Sequence, residues 1–431
     1  IMTREIYKGM PADKAGFLPG DYIIEINGKD AKDMKVSDVS NELRGLPGTN
    51  ANVKIWRRGT NEIKDLIATR EKIQINPVTY YGMINNETGY IVLSNFTQDC
   101  ADEVQKAFLD LKNNHNAKKM ILDLRNNPGG LLDEALNIVN MFVPKSSVLL
   151  STKGRLSSYD KTFRAHRDPI DIEMPLTVLI SRGSASASEI VAGALQDLDR
   201  AVIIGQRSFG KGLVQGTREI SYNNGLKLTT AKYYTPSGRC IQALDYSHRD
   251  KDGAVGYVPD SLITEFKTLN GRSVFDGGGI SPDIMMPSET IANITYSLVL
   301  NDLIFRYAVD YRATHKSIAS PKEFSLSNEE YDDFCDYVKQ QKKFTYKSRT
   351  NEAFKVLTEA ATNDNYYEQN KELFEKLKTQ LKPDLTKDLK TSRKEIQPLI
   401  EQEILTSYYY QAGAYPNALK TDETVKEAVA T

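Results

Sequence analysis

The middle of the chain alternates short apolar runs with amphipathic stretches, which is the pattern of strands followed by helices. In residues 101–114, for example, Val104, Phe108 and Leu111 recur at helical spacing. The order predicts right-handed crossovers and a largely parallel central sheet. The predicted strands are 89–96, 119–127, 147–152, 175–181 and 201–206, the predicted helices are 101–114, 131–143 and a segment ending near Leu198, and a later hairpin turns at Asn224-Gly225.

The first 72 residues are rich in strand patterns and turn signals. Their order, "PADKAGFLPGDYIIEINGK", resembles that of a PDZ domain. The resemblance implies that the domain's first strand and its carboxylate-binding loop precede Ile1. The predicted elements are a short helix at Asp13–Ala15, a strand at Tyr22–Ile26, a hairpin at Asn27-Gly28, a helix from an N-cap at Ser37 to Leu43, and a strand that ends at Gly59.

The last third of the chain changes character after residue 287. Glycine almost vanishes, while Lys, Glu, Asp and Tyr dominate, and segments such as "NKELFEKLKTQL" have helical spacing. We therefore expect a separate helical region over 288–431. Its last residues, "TDETVKEAVAT", are polar, and we expect them to form a loose end.

Length and composition narrow the class of protein. A chain of 431 residues predicts two or three domains. Its net charge of −1 gives no reason to expect nucleic acid as a partner, and no apolar run approaches the ~20 residues of a membrane span. The three cysteines are far apart, and neither CxxC nor HExxH occurs, so we expect no zinc site and no other cofactor. No signal peptide is visible, and the first residues resemble the interior of a domain.

The segment "SRGSASASEI" (181–190) has two interpretations. Ser186 followed three residues later by Glu189 has the spacing of a capping box, and serine caps greatly outnumber serine nucleophiles. The segment also follows a predicted parallel strand, at the sheet edge where open α/β folds place their sites. There the amide of Ala187 would point toward an oxyanion formed by attack of Ser186 on a carbonyl.

A lysine in the next loop favours the catalytic interpretation. In "GQRSFGKGLVQ" (205–215), Lys211 lies between two glycines, where we expect few polar groups around its amine. A desolvated neutral amine can accept the proton of a serine. Gln215, four residues on, would lie on the same side of an extended segment and could orient that amine. A solvated loop lysine or an anion-binding lysine is the alternative interpretation of Lys211.

The remaining motif residues receive both structural and catalytic interpretations. "DLRNNPGG" (123–130) is either a plain turn or the source of a second oxyanion amide, from Gly129 or Gly130. We expect Ser184 and Ser188 to be structural, and Glu189 to be a capping partner that could also support the network. A phosphate loop is disfavoured because Gly212 replaces the Ser/Thr required after the lysine. A Ser-His-Asp triad is disfavoured because no GxSxG surrounds these serines and the four histidines are scattered.

The motifs "RGSASASEIVAGALQD", "SFGKGLVQ", "LDLRNNPGG" and "TTAKYYTPSGRCIQ", preceded by a PDZ-like segment, resemble those of the carboxy-terminal processing proteases. The resemblance implies an α/β core of the ClpP/crotonase type, with Ser186 as nucleophile and Lys211 as general base. It also implies that Gln215 orients Lys211 and that the amides of Ala187, Gly129 and Gly130 hold the oxyanion.

The same resemblance carries expectations about domains and partners. We expect a PDZ-like domain over 1–72, a tail-specific peptidase core over 73–287 and a helical domain over 288–431. The substrates would be proteins with unstructured C-termini, recognised or gated through the PDZ domain, in the bacterial periplasm or envelope. The helical region would serve oligomer contacts, adaptor docking or substrate guidance.

Two further functions stay open on the sequence alone. One is a PDZ scaffold whose protease-like core is inactive or permanently gated. The presence of both Ser186 and Lys211 disfavours it. The other is an acyl-CoA enzyme on a crotonase-like core, for which the sequence offers no recognisable CoA site.

Overall fold

The computed structural model describes residues 1–249, 251–288 and 290–431. The chain forms two compact units that do not follow the sequence continuously. The first unit combines Ile1–Gln74 with Glu289–Thr421, and the second combines Ile75–Ser288 with Asp422–Thr431. The predicted divisions after residues 72 and 287 lie within two residues of two of these boundaries, whereas the predicted helical domain over 288–431 is divided after residue 421.

The N-terminal part of the first unit is a small antiparallel sheet in the order β2-β1-β3-β4. Ile26, Val53 and Ile55 are buried in its core, as the alternation of apolar residues requires. The helix predicted to start after Ser37 begins at Val36, so Ser37 lies in its first turn and is not the N-cap. The elements are α1 (Pro11–Lys14), β1 (Asp21–Ile26), β2 (Lys29–Asp30), α2 (Val36–Leu43), β3 (Asn50–Arg57) and β4 (Glu62–Thr69).

The second unit is built on a six-stranded sheet in the order β18-β11-β10-β7-β6-β5. All neighbouring pairs are parallel except β5 with β6, which confirms the predicted parallel sheet. The elements are β5 (Val78–Met83), β6 (Thr88–Leu93), α3 (Cys100–Asn113), β7 (Lys119–Asp123), α4 (Leu132–Asn140), β8 (Val148–Gly154), β9 (Lys161–Arg164), β10 (Leu176–Ile180), α5 (Ala187–Asp197), β11 (Val202–Gly205), β12 (Leu213–Ile220), β13 (Asn224–Tyr234), β14 (Leu244–Arg249), β15 (Val255–Tyr257), β16 (Glu265–Lys267), β17 (Ser273–Phe275) and β18 (Ile284–Met285).

A second, antiparallel sheet in the order β12-β13-β8-β9 accompanies the parallel one. Strand β8, predicted at 147–152 within the parallel series, belongs to this sheet and pairs with β9 and β13. The hairpin is present, but Ile220 pairs with Asn224, so the turn comprises residues 221–223 rather than Asn224-Gly225. Tyr222 and Asn223 adopt positive φ angles of 63° and 55° and thereby supply the backbone reversal.

The C-terminal part of the first unit is helical, as predicted. Its buried core includes Leu298, Phe334 and Ile400. The elements are α6 (Asn293–Leu300), α7 (Leu303–Thr314), α8 (Asn328–Lys339), α9 (Arg349–Asn363), α10 (Lys371–Gln380), α11 (Leu385–Thr391) and α12 (Arg393–Ala418), with non-helical backbone at Tyr410 inside α12. Searched over its described residues, the chain has no helix with the length and apolar character of a membrane span.

The last residues form a helix, α13 (Glu423–Ala430), which belongs to the second unit. The expectation of a loose end was therefore wrong. Although the segment is mostly polar, Val425 and Ala428 are buried, and the helix packs against β10 and β11. The side chain of Asp422 accepts the Val425 amide and caps the helix start.

Candidate active site

Ser186 lies at the junction between strand β10 and helix α5, and its backbone is strained. Its φ of 56° and ψ of −113° fall in a region that side chains with a Cβ rarely adopt. Its amide donates to Glu189 Oε2 at 2.8 Å, and the capping box predicted for Ser186 and Glu189 is present. Within this box the Ser186 hydroxyl makes no direct cap hydrogen bond, so it remains available to other partners.

This strain predicts a difference between two inactive variants. Ser186→Gly should be more stable than Ser186→Ala by about 1 kcal/mol, because glycine adopts this backbone conformation freely and alanine does not. Urea unfolding of the two variants, compared with wild type, measures the difference. A glycine variant that is equal to or less stable than the alanine variant would contradict a strained Ser186.

The two flanking serines are structural, as predicted. Ser184 Oγ donates to the carbonyl of Leu124 at 2.7 Å, and Ser188 Oγ donates to the carbonyl of Asn127 at 2.9 Å. Both serines are fully buried. They therefore tie the Ser186 turn to the loop that follows β7, and only Ser186 has its hydroxyl left for chemistry.

The loop after β7 supplies backbone amides beside Ser186. A methyl group added to Gly129 would lie 2.8 Å from the Ala187 nitrogen and 2.8 Å from Ser186 Cβ, so the loop packs directly against the helix start. The Gly129 amide donates to Asn127 Oδ1 at 2.9 Å. Among the described residues, the amides of Ala187 and Gly130 have no hydrogen-bond partner. Of the three predicted oxyanion donors, the Gly129 amide therefore already has an acceptor. The amides of Ala187 and Gly130 are available to an oxyanion.

Glu189 joins the Ser186 turn to the lysine loop. Its carboxylate is fully buried and accepts four hydrogen bonds, from the Ser186 amide at 2.8 Å, the Ser208 hydroxyl at 2.5 Å, the Gly210 amide at 2.6 Å and the Lys211 amide at 2.8 Å. Burial raises the pKa of Glu189, and these hydrogen bonds oppose the rise. The residue is thus more than a helix cap, because it fixes the backbones of both predicted catalytic residues.

We expect Glu189→Gln to lose most activity and about 2–3 kcal/mol of stability. A glutamine offers one acceptor oxygen, so its NH₂ group must face donors that the second carboxylate oxygen now satisfies. Peptide-cleavage rates and urea unfolding measure the two losses. Glu173→Gln, an exposed change in the same unit, is the matched control. A Glu189→Gln variant that matches this control would show that the four hydrogen bonds carry no such role.

The structure places the Lys211 backbone in the site but does not join its amine to Ser186. Tyr233 donates its hydroxyl to the Lys211 carbonyl, and the half-buried lysine side chain extends from this fixed backbone. In the part of the chain that is described, no hydrogen bond joins Lys211 Nζ to Ser186 Oγ.

The predicted contact between Gln215 and Lys211 is also absent among the described residues. Gln215 is exposed on β12, whereas Lys211 lies before the strand begins at Leu213. The extended segment therefore does not run regularly from Lys211 to Gln215, as the prediction assumed.

Tyr233 is the site residue that the sequence did not reveal. Besides its bond to the Lys211 carbonyl, its hydroxyl interacts with the side chain of Ser186. Burial raises the pKa of Tyr233 well above 10, the charge of Glu189 adds to the rise, and the Ser186 hydroxyl opposes it. The motif "TTAKYYTP" contains two tyrosines, and the hydrogen bond to the Lys211 carbonyl shows that Tyr233 is the one that faces the site.

This pKa shift predicts a pH effect on stability. Above pH 10 an unfolded tyrosine loses its proton while folded Tyr233 keeps it, so the free energy of unfolding falls as the pH rises. Tyr233→Phe removes this contribution, and the difference between wild type and variant should shrink between about pH 9.5 and 11. Urea unfolding across this range measures it. Tyr222→Phe, at a tyrosine that is 95% exposed, should leave the slope unchanged. Parallel curves for Tyr233→Phe and wild type would contradict the prediction.

Together these groups suit acyl transfer. A serine on a strained turn, two unpartnered amides beside it and a lysine on an adjoining loop are the parts needed to attack a carbonyl and hold the resulting oxyanion. Across the described residues, no cluster of His, Cys, Asp and Glu side chains is arranged to hold a metal ion.

Comparison with known proteins agrees with this arrangement. Residues 2–57 match a PDZ domain, 87–247 match peptidase family S41, and 294–431 match the C-terminal helical domain of probable PDZ-proteases. The second unit thus carries the peptidase match, and the described α13 falls at the end of the helical-domain match.

Curated relatives carry the same description. The chain is 42% identical over 258 residues to a carboxy-terminal-processing protease of Bartonella bacilliformis, covering 59% of this chain and 56% of the relative. It is 35% identical over 262 residues to a carboxyl-terminal-processing protease of Synechocystis, covering 60% and 57%. The chain thus spans little more than half the length of these relatives.

Among solved structures, the photosystem II D1 C-terminal processing protease is 29% identical, with a TM-score of 0.38, over 66% of this chain and 71% of that one. The predicted family and α/β fold class are confirmed by the family matches and the observed sheet. Residues 87–247 thus form a region of the peptidase family S41 type, with a PDZ match before it and a match to the helical domain of probable PDZ-proteases after it.

Proposed function

We propose that this protein is a serine endopeptidase that cleaves protein substrates at or near unstructured C-termini. The observation that carries the proposal is the Glu189 carboxylate, which fixes the backbones of Ser186 and Lys211 in one assembly. The amides of Ala187 and Gly130, for which the described residues provide no hydrogen-bond partner, support the proposal as donors to the oxyanion.

The proposed reaction begins with Lys211 as general base. Its neutral amine takes the proton of Ser186 Oγ as that oxygen attacks the scissile carbonyl. The oxyanion accepts hydrogen bonds from Ala187 and Gly130. Lys211 then returns the proton to the leaving amine, and water cleaves the acyl-enzyme with the same groups in reversed roles. Because no hydrogen bond joins this amine to Ser186 Oγ among the described residues, we propose that the Lys211 side chain approaches the serine during turnover.

The PDZ domain and the helical region supply the proposed selection of substrates. We propose that the PDZ domain recognises the substrate tail or gates the core, and that the helical region contacts further copies or adaptors. An envelope location in a bacterium rests on the family resemblance alone. Recognition of a free C-terminus would distinguish this protein from a peptidase that cuts any exposed loop.

The test uses a folded reporter protein with an unstructured C-terminal tail. Incubation followed by mass spectrometry should reveal new C-termini in the tail and none in a reporter whose tail is removed. A fluorophosphonate should label Ser186, identified on its tryptic peptide, in the same preparation. The absence of both new termini and label would favour the alternative of a PDZ scaffold with an inactive core.

A further inference from the structure

A partly buried cluster of polar and charged side chains lies directly before the oxyanion loop. We call it the Arg125 cluster, and it comprises Tyr90, Asp123, Arg125 and Asp422. Arg125 Nη2 lies 2.6 Å from Asp123 Oδ2 and 2.7 Å from Asp422 Oδ2, and its Nε donates to the same Asp123 oxygen at 2.9 Å. The Tyr90 hydroxyl donates to Asp123 at 2.5 Å and is itself 3.4 Å from the guanidinium.

The cluster lies on the face of the parallel sheet that the main core leaves open. Side chains alternate along a strand, so Ile121 and Asp123 share one face of β7, and Arg125 follows two residues after the strand ends and pairs with Asp123. Ile121, like Leu179 and Ile204 on the neighbouring strands, is buried but lies outside the main hydrophobic cluster. Helix α13 packs against β10 and β11, and its cap Asp422 reaches Arg125. The last residues of the described chain therefore help to cover this face.

The loop that follows Arg125 is held from two sides. On the Ser186 side, the Asn126 amide donates to Ser181 Oγ at 2.9 Å and the Asn127 carbonyl accepts the Ala185 amide at 3.0 Å. On the other side, the Arg125 cluster holds the residue directly before Asn126. The φ of Asn126 is 57°. Movement of Arg125 would therefore be passed to Gly130, five residues on, through a short and tightly bonded loop.

The charges around Arg125 explain why Asp422 can affect the position of the Arg125 side chain without being required for folding. Arg125 already has a buried carboxylate partner in Asp123, so loss of Asp422 leaves no unpaired buried charge. What Asp422 adds is a second, charge-assisted hydrogen bond from a separate element, and such bonds fix geometry.

We propose that Asp422 is a positioning residue for the reaction: by holding Arg125, it fixes the loop that presents the Gly130 amide to the oxyanion. The proposal rests on the proposed function. By this proposal the segment 422–431 contributes to catalysis in the second unit. More than a hundred residues of sequence separate this segment from the rest of that unit.

The informative variant is Asp422→Ser. Serine caps a helix about as well as aspartate, so α13 keeps its N-cap, but its short side chain does not reach Arg125. Glu423→Ser, one residue on, is the matched control, because Glu423 is exposed and its ion pair among the described residues is with Lys426 at 2.7 Å. Active enzyme in each preparation is counted by fluorophosphonate titration, and kcat and KM are measured on the tailed reporter. A peptide aldehyde, which forms a tetrahedral adduct with a serine, probes the oxyanion site directly.

For Asp422→Ser we expect kcat per titrated site to fall about tenfold with KM within about twofold, and the aldehyde to bind about tenfold more weakly. Glu423→Ser should match wild type in all three. Unchanged kcat, a change in KM alone, or a loss accounted for by fewer titrated sites would each overturn the proposal. If wild type shows no Ser186-dependent cleavage, the proposed function fails and this proposal fails with it. Normal wild-type cleavage with an unaffected Asp422→Ser variant overturns this proposal only.

Discussion

Ser186→Ala and Lys211→Ala are each expected to lower the rate of tail cleavage by about 10⁴-fold or more, and the double variant should be no slower than either. The two side chains act as one unit, because the nucleophile is inert without a base and the base has nothing to activate without the nucleophile. Full losses in both single variants, with no further loss in the double variant, would be the kinetic signature of a dyad. Cleavage of the tailed reporter, followed by mass spectrometry, measures all three.

The fold should survive these changes. The Lys211 backbone is held by the Glu189 carboxylate and the Tyr233 hydroxyl, neither of which depends on the lysine side chain. Lys232→Ala is the matched control, since Lys232 is an exposed lysine on β13 beside Tyr233. If Lys211→Ala retains the activity of this control, the base is another group and the dyad assignment is wrong.

Gly129→Ala is expected to lower kcat by about 10²–10³-fold, the usual effect of losing an oxyanion donor. The new methyl group would lie 2.8 Å from the Ala187 nitrogen and 2.5 Å from the Ala185 carbonyl oxygen. Both atoms are backbone, so neither can rotate away. The methyl group therefore either covers the Ala187 amide or forces the loop away from Ser186. Steady-state kinetics on the tailed reporter measures the loss.

Backbone strain has to be separated from this steric effect. Gly129 has a φ of +94°, and alanine is disfavoured there whatever its neighbours. Gly253→Ala is the matched control, because Gly253 has a φ of +80° with no atom within 4 Å of the added methyl. It should cost stability and leave kcat unchanged. A Gly129→Ala variant with wild-type kcat would place the oxyanion elsewhere.

Much of the fold was predictable because local patterns decide it. The strands around 89–96, 119–127 and 175–181 are continuous apolar runs, typical of strands buried on both faces. The Ser186 turn was recognisable because a serine, a glycine and a glutamate occur at cap spacing after such a strand. In each case the signal lies within about ten residues.

The rest depended on pairings that local patterns do not encode. Strand β8 looks like its parallel neighbours, yet it pairs with β13 in another sheet. Tyr233 is identified as a site residue by its hydrogen bond to the Lys211 carbonyl, which its sequence context does not indicate. Lys211 lies before β12 begins, so the argument from even spacing did not hold for Gln215. The sequence of helix α13 is so polar that it does not predict burial. Only two of its side chains, Val425 and Ala428, are buried.

The split composition of the peptidase unit also bears on how it is made. Residues 75–288 leave the ribosome first, and residues 422–431 follow only after the whole helical region of the first unit. At ordinary synthesis rates this delay is on the order of ten seconds. During that interval the sheet face around Ile121 and Leu179 lacks α13, and Arg125 lacks Asp422. The second unit therefore lacks part of the cover of its central sheet until residues 422–431 have been synthesised.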